Sequence, residues 1–141
     1  MEIEEALHTY LSEFKGLSDM GAKVYPDTLP ELGRDAFASG VLPAIVYQRI
    51  STADVQSHQG SSGLSAARFQ FSVFGTTKGA AVAVREQLRL ALEGFHGTMA
   101  EGGVEIGASL RAGARSMYDP LLRIYREDSD FMIWHAVTQP T

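Results

Sequence analysis

The 141-residue chain has no cysteine, which removes thiol nucleophiles, cysteine-ligated zinc and disulfide scaffolds, and agrees with a reducing compartment. No apolar run approaches the roughly 18 residues of a membrane-spanning helix. Met1 to Glu5 is acidic where a secretory leader would be basic. The chain therefore reads as soluble, with no membrane partner and no export by the usual secretory route. Basic residues are outnumbered 12 to 17, a net charge of -5, which disfavours a general nucleic-acid binder because phosphate affinity rests on basic clusters. Arg111, Arg115, Arg123 and Arg126 form the local concentration of positive charge, read as the solvated face of a hairpin. Otherwise the composition is that of an ordinary globular protein, 45% hydrophobic and 21% charged. Its length suits one domain spanning 1–141, which buries roughly 70% of the surface that its unfolded chain exposes.

Catalytic and cofactor signatures are equally scarce. Gly60-Ser61-Ser62-Gly63, with Asp54 and His58 nearby, lacks the G-x-S-x-G spacing that sets a serine on a strained elbow, and neighbours on one loop do not orient a triad. Asp54 and His58 lack a third metal ligand. In Glu127, Asp128 and Asp130, strand alternation sends Glu127 to the face opposite the two aspartates, and the three read as a solvated strand segment. His8, His96 and His135 stand apart along the chain. Gly75 to Gly79 has neither P-loop nor dinucleotide spacing. The expectation is a protein that is not an enzyme and carries no cofactor and no metal.

What is present is a well-punctuated strand, turn and helix between Ala67 and Phe95. Phe69, Phe71 and Val73 alternate with Arg68, Gln70 and Ser72, the period of a strand with one apolar face. Gly75 breaks the run. Thr76 or Thr77 can cap a helix whose stripe is Ala81, Val84, Leu88, Ala91 and Leu92. Gly94 suits the left-handed position past its end, with Phe95 folding back onto Leu90. Phe69 and Phe71 could imitate a base-stacking platform, but without flanking lysines they read as core.

The other segments look like elements packed on this unit. Glu2 to Lys15 predicts an amphipathic helix through Ile3, Leu7, Tyr10 and Phe14, with Ala6 and Leu11 flanking, ended by Gly16. Its acids lie near the positive end of the macrodipole and Lys15 near the negative end. Lys23 to Tyr25 predicts a short strand, followed to Leu42 by an irregular, mobile connection. Pro43 to Ser51 predicts a central strand with Ile45 and Tyr47 on one face and Val46 and Ile50 on the other. Thr52 to Ala66 reads as a polar loop forming the flexible tip of a hairpin. Val104 to Arg111 predicts a half-buried strand, and Asp119-Pro120 a turn. The last strand, Leu122 to Val137, places Phe131 and Ile133 opposite Met132 and Trp134, an outer face too apolar for plain solvent.

Taken in this order, the chain resembles the bacteriophage tail completion family, also described as tail-to-head joining or tail terminator proteins of phages, prophages and gene transfer particles. The carriers run from Glu2 to His135: the opening helix, Val24-Tyr25-Pro26, and Leu42 to Ile50, then Gly60 to Leu64 leading into Ala67-Arg68-Phe69-Gln70. Leu92 to Gly97 and Tyr118-Asp119-Pro120, leading to Asp130 to Trp134, complete them. None is a catalytic signature, and residues 31–41 are longer than the family's short proline-rich connection.

The resemblance implies an α+β subunit with a mixed or mainly antiparallel sheet of about four to five strands, on which an N-terminal and a central helix pack. It implies a hexameric ring at the head-proximal end of the virion tail, assembled in the host cytoplasm. The ring would cap the tail tube protein and meet the head connector or stopper, with DNA passing through without sequence-specific binding. The interface residues expected on this reading are His58, Gly60, Ser61, Ser62, Gly63 and Leu64 on the hairpin, with Met132 and Trp134 on the last strand. The competing readings are a small ligand-binding or single-stranded nucleic-acid-binding α+β module.

Overall fold

A computed structural model describes residues 2–27, 42–57, 60–100, 103–121 and 123–136, with backbone alone for 54–57 and 60–63. Helix α1 spans Ile3–Glu13, α2 Lys15–Ser18 and α3 Lys78–Leu92. The strands are β1 Lys23–Pro26, β2 Ala44–Ser57, β3 Gly60–Gly75, β4 Gly97–Met99, β5 Val104–Asp119 and β6 Ile124–Ala136. They form one sheet in the order β1-β2-β3-β6-β5-β4. The β1–β2 pair is parallel and the other pairs are antiparallel. This is the expected α+β class with a mixed sheet, and its six described strands exceed the expected number because the three-residue β4 carries no periodic signal.

Helix α3 forms as its sequence dictates. The Thr77 hydroxyl accepts from the Ala80 amide at 3.1 Å, satisfying one of the free donors of the first turn. Ala81, Val84, Leu88, Ala91 and Leu92 are its buried stripe. Gly94 adopts a φ of 79°, the left-handed conformation glycine takes without steric cost. Phe95 turns to Tyr10, ring centroids 4.9 Å apart, while Leu90, its expected partner, is largely exposed. Tyr10 in turn donates its hydroxyl to the Ala91 carbonyl at 2.7 Å, tying α1 to α3.

Gly16 does not end the first helix. It lies inside α2, with the side-chain amide of Gln87 on α3 packed over the space a Cβ would take. Gly75 is a second close approach, with the backbone of Ala81 about 3.0 Å from where its Cβ would stand.

The apolar layer between helices and sheet joins Ile3, Leu7, Leu11 and Leu17 with Leu88 and Leu92 of α3. Ile45, Phe69, Phe71, Val73, Phe131 and Ile133 supply the sheet side. Phe71 and Phe131 meet edge to face, with centroids 5.6 Å apart, a favourable geometry for aromatic pairs. With Phe69 and Phe71 fully buried, the strand carries no base-stacking platform.

Lengths decide the rest of the architecture. At 1.5 Å per residue the 15 residues of α3 reach about 22 Å, whereas 16 residues of strand at about 3.3 Å each reach about 53 Å. The helices cannot cover the sheet, and they lie across it so that two opposite corners stay bare. In the hydrogen-bonded row Tyr47, Phe71, Ser129 and Ala114, Tyr47 is buried and Ala114 exposed. In the row Thr52, Ala67, Ile133 and Ser109 the order reverses: Thr52 is exposed and Ser109 buried.

Two strand expectations change for this reason. Most of the stretch from Thr52 to Ala66 is strand: β2 runs to Ser57 and β3 starts at Gly60, paired with a register shift between Val55 and Gln56 that leaves Ser62 and Gly63 without a partner on β2. β5 likewise continues past Arg111 to Asp119. A strand bare on both faces shows no apolar alternation, so its sequence resembles a loop. β2 is interior, as expected, over Ala44–Tyr47, where β1 flanks it, and becomes an edge beyond that. Ile50 sits in a bulge between Arg49 and Ser51 and is about half exposed.

Candidate interaction surfaces

The face of the sheet away from the helices carries two kinds of surface. Toward the end of β6, Trp134 lies between Ala66 and Ala108, and Met132 between Arg68 and Leu110. Leu110 is 54% exposed, Leu64 next to this patch 37%, and Met132 and Trp134 are half-buried. The structure thus places Leu64, Met132 and Trp134 of the expected interface on one apolar patch. Gly60, Ser61, Ser62 and Gly63 are the first residues of β3, with only their backbone described, and His58 lies outside the described residues. The side chain of Asp54 is also undescribed, so the Asp54 and His58 pair gains no geometry.

Nearer the middle of β6 the same face is charged. Asp128 is 1% exposed and accepts from Arg126 Nε at 2.8 Å, Gln70 Nε2 at 3.2 Å and Arg115 at 3.5 Å. Asp130 pairs with Arg68 at 2.9 Å. Arg126 also stacks over the Phe74 ring, 5.5 Å from its centroid, a favourable placement for a guanidinium. Glu127 points the other way, as alternation requires. It is 2% exposed under α3, accepting from Arg85 at 3.1 Å and from the Ser116 hydroxyl in a short contact. The expected solvation of this segment is therefore corrected: Glu127 and Asp128 are buried, each held by cations. Apart from Arg126, two residues from Asp128 on β6 itself, their partners come from β3, α3 and β5 and are distant in sequence.

The outer half of β5 and the turn after it form a third surface. Every described residue from Leu110 to Leu121 is exposed, and Leu110, Met117, Tyr118 and Leu121 make up half of the large exposed apolar side chains among the described residues. Phe74, Met117, Tyr118, Pro120, Leu121 and Ile124 line an apolar depression of about 380 Å³ there. The signal that could have found this strand is the lack of any turn dipeptide between Arg111 and Asp119-Pro120.

At the opposite edge, Glu4, Glu5, His8, Thr9, Pro26 and Tyr47 border a groove of about 440 Å³. His8 Nδ1 stands 3.3 Å from the Tyr47 hydroxyl, and Arg49 pairs with Glu4 at 3.3 Å. Burial, then the charges of Glu4 and Asp27, raise the Tyr47 pKa above its usual value, because each disfavours a phenolate. Among the described residues no group of three or more His, Asp or Glu is placed to hold a metal ion, and no helix is long and apolar enough to cross a membrane.

Comparison with known proteins agrees with an assembly role. No curated protein matches the sequence. The structure is similar to a chain of the virion of a native gene transfer agent particle, with a TM-score of 0.70 and 15% identity. The match covers 96% of this chain and 95% of that one, and at that identity the likeness speaks for the fold. The family model for Tail completion protein gp17 matches residues 5–136, from the first turn of α1 to the end of β6. The chain belongs to that tail completion family and is a structural protein of a bacteriophage-type tail.

Proposed function

We propose that this chain is the subunit of a hexameric ring that closes the finished tail tube at its head-proximal end and offers the head connector a surface to bind. The observation that carries this reading is the uncovered sheet face. Leu64, Leu110, Met132 and Trp134 form an apolar patch of a kind that marks an interaction site. The structural likeness to a virion chain supports the same reading. The Gly60–Leu64 stretch, at the start of β3, and His58 serve as contacts or spacers. The subunit assembles in the host cytoplasm, performs no catalysis, and lets DNA pass without reading its sequence.

Electron microscopy of the protein mixed with tail tubes tests the proposal, with Leu110→Ser/Trp134→Ser as the comparison. Closed rings or capped tube ends are expected for the wild type and a marked loss for the variant. Wild-type protein that neither caps tubes nor forms rings at high concentration would sink the reading in favour of a small ligand-binding module.

A further inference from the structure

Charge is distributed unevenly between the two edges of the sheet. Residues 2–27, which contain α1 and β1, hold six acidic and two basic side chains, whereas residues 110–126 hold four arginines and a single aspartate. The acidic edge carries the groove bordered by Glu4, Glu5, His8 and Tyr47. The basic edge is the bare half of β5, which adds Leu110, Met117, Tyr118 and Leu121, the last 93% exposed. Four-strand rows connect the two. Tyr47 in the groove and Ala114 in the middle of bare β5 end the same hydrogen-bonded row, three strand spacings or about 14 Å apart. The β5 arm therefore cannot reach the groove of its own chain, but a neighbour displaced sideways along that row brings its own arm to it.

We propose that the β5 arm, Leu110 to Leu121 with the following Arg123, seats on the α1/β1 groove of a second copy, arginines against glutamates and the exposed apolar side chains between them. This rests on the assembly reading above and assigns the surfaces that would join neighbouring subunits. The occupant is a second copy because the complementary partner surface lies on the chain itself, at the same level of the sheet and on its opposite edge. With a net charge of -5, copies repel one another on average, so attraction requires such a local pairing of opposite patches. A contact made from two different surfaces is head to tail, the kind that closes into a ring when its rotation permits.

Arg111, Arg123, Glu2 and Glu5 are exposed and have no side-chain hydrogen bond or ion pair among the described residues, so they can be exchanged without breaking a described contact. The test uses R111E/R123E, which makes the arm acidic, and E2K/E5K, which makes the groove side basic. Association of each is followed by sedimentation velocity and on tube ends, with melting temperatures as a check on folding. Each variant alone is expected to associate at least tenfold more weakly than wild type. An equimolar mixture should recover the wild-type behaviour, because the acidic arm of one then meets the basic groove of the other at alternate contacts. If both variants assemble as wild type does, the surface assignment fails while the ring reading stands. The assignment fails in the same way if both stay folded and their mixture shows no recovery. Wild type that never associates overturns both. Should a reversal unfold the chain, the milder R111A/R123A and E5Q changes replace it, and equal assembly by these would overturn the assignment.

Discussion

Residues 124–132 of β6 and residues 110–119 of β5 run side by side in one ladder, yet they live in different environments. The β6 stretch lies in the interior of the sheet, with Phe131 under the helices and Asp128 sealed by arginines on the other side. Its partner strand is bare along that whole length. The difference comes from position, since β5 borders the uncovered corner and β4 protects only its first residues. Chemistry follows position: the inward apolar side chains of β6 hold the fold, whereas those of outer β5 are left exposed.

The strongest way to sharpen that contrast is to truncate the covered layer. Leu88→Ala, at a fully buried site facing the sheet, should cost about 2 to 5 kcal/mol in urea denaturation. A loss under about 0.5 kcal/mol would mean that α3 does not cover the sheet as described. Next come the carboxylates of β6. Glu127→Ala leaves Arg85, itself mostly buried, without its close partner and should cost about 1 to 3 kcal/mol. Asp130→Ala, opposite the more exposed Arg68, should cost under about 1 kcal/mol. Equal costs in denaturant would erase the distinction between buried and rim charges. Last, Leu121→Ser should shift stability by no more than about 0.5 kcal/mol, as surface changes usually do. A large destabilisation there would place the turn in the core.

The sequence displayed what is periodic. The α3 stripe, the Phe69-Phe71-Val73 face and the opposition of Phe131 to Met132 all follow from a helix or strand with one side in the core, which forces an alternation onto the residues. Where β2, β3 and β5 leave the helix layer, nothing forces it: Thr52 to Ala66 reads as a polar loop although residues 52–57 pair with β3, and the predicted strand stops at Arg111 although β5 stays paired to Asp119. The expected interface was partly legible for the same reason. Met132 and Trp134 are conspicuous because they are apolar on the wrong face, whereas Leu110 acquires a role only when the register places it beside Met132. The burial of Glu127 and Asp128 was illegible because Arg85 and Arg115 reach them from α3 and β5. The family resemblance supplied an order of elements, but not which edge of the sheet remains bare.

The two adjacent carboxylates on β6 also act as a check on alignment. Sliding β6 by one residue would exchange its faces, carrying Asp128 into the apolar layer, taking Glu127 away from Arg85, and turning Phe131 out toward water. An uncompensated buried carboxylate costs several kcal/mol, and a lost ion pair and an exposed phenylalanine arise with it from a single slip. The strand is thus locked in phase with both neighbours, and through β5 the outer edge inherits that phase. In the ring proposed above, a slip that one subunit tolerates would recur at every joint.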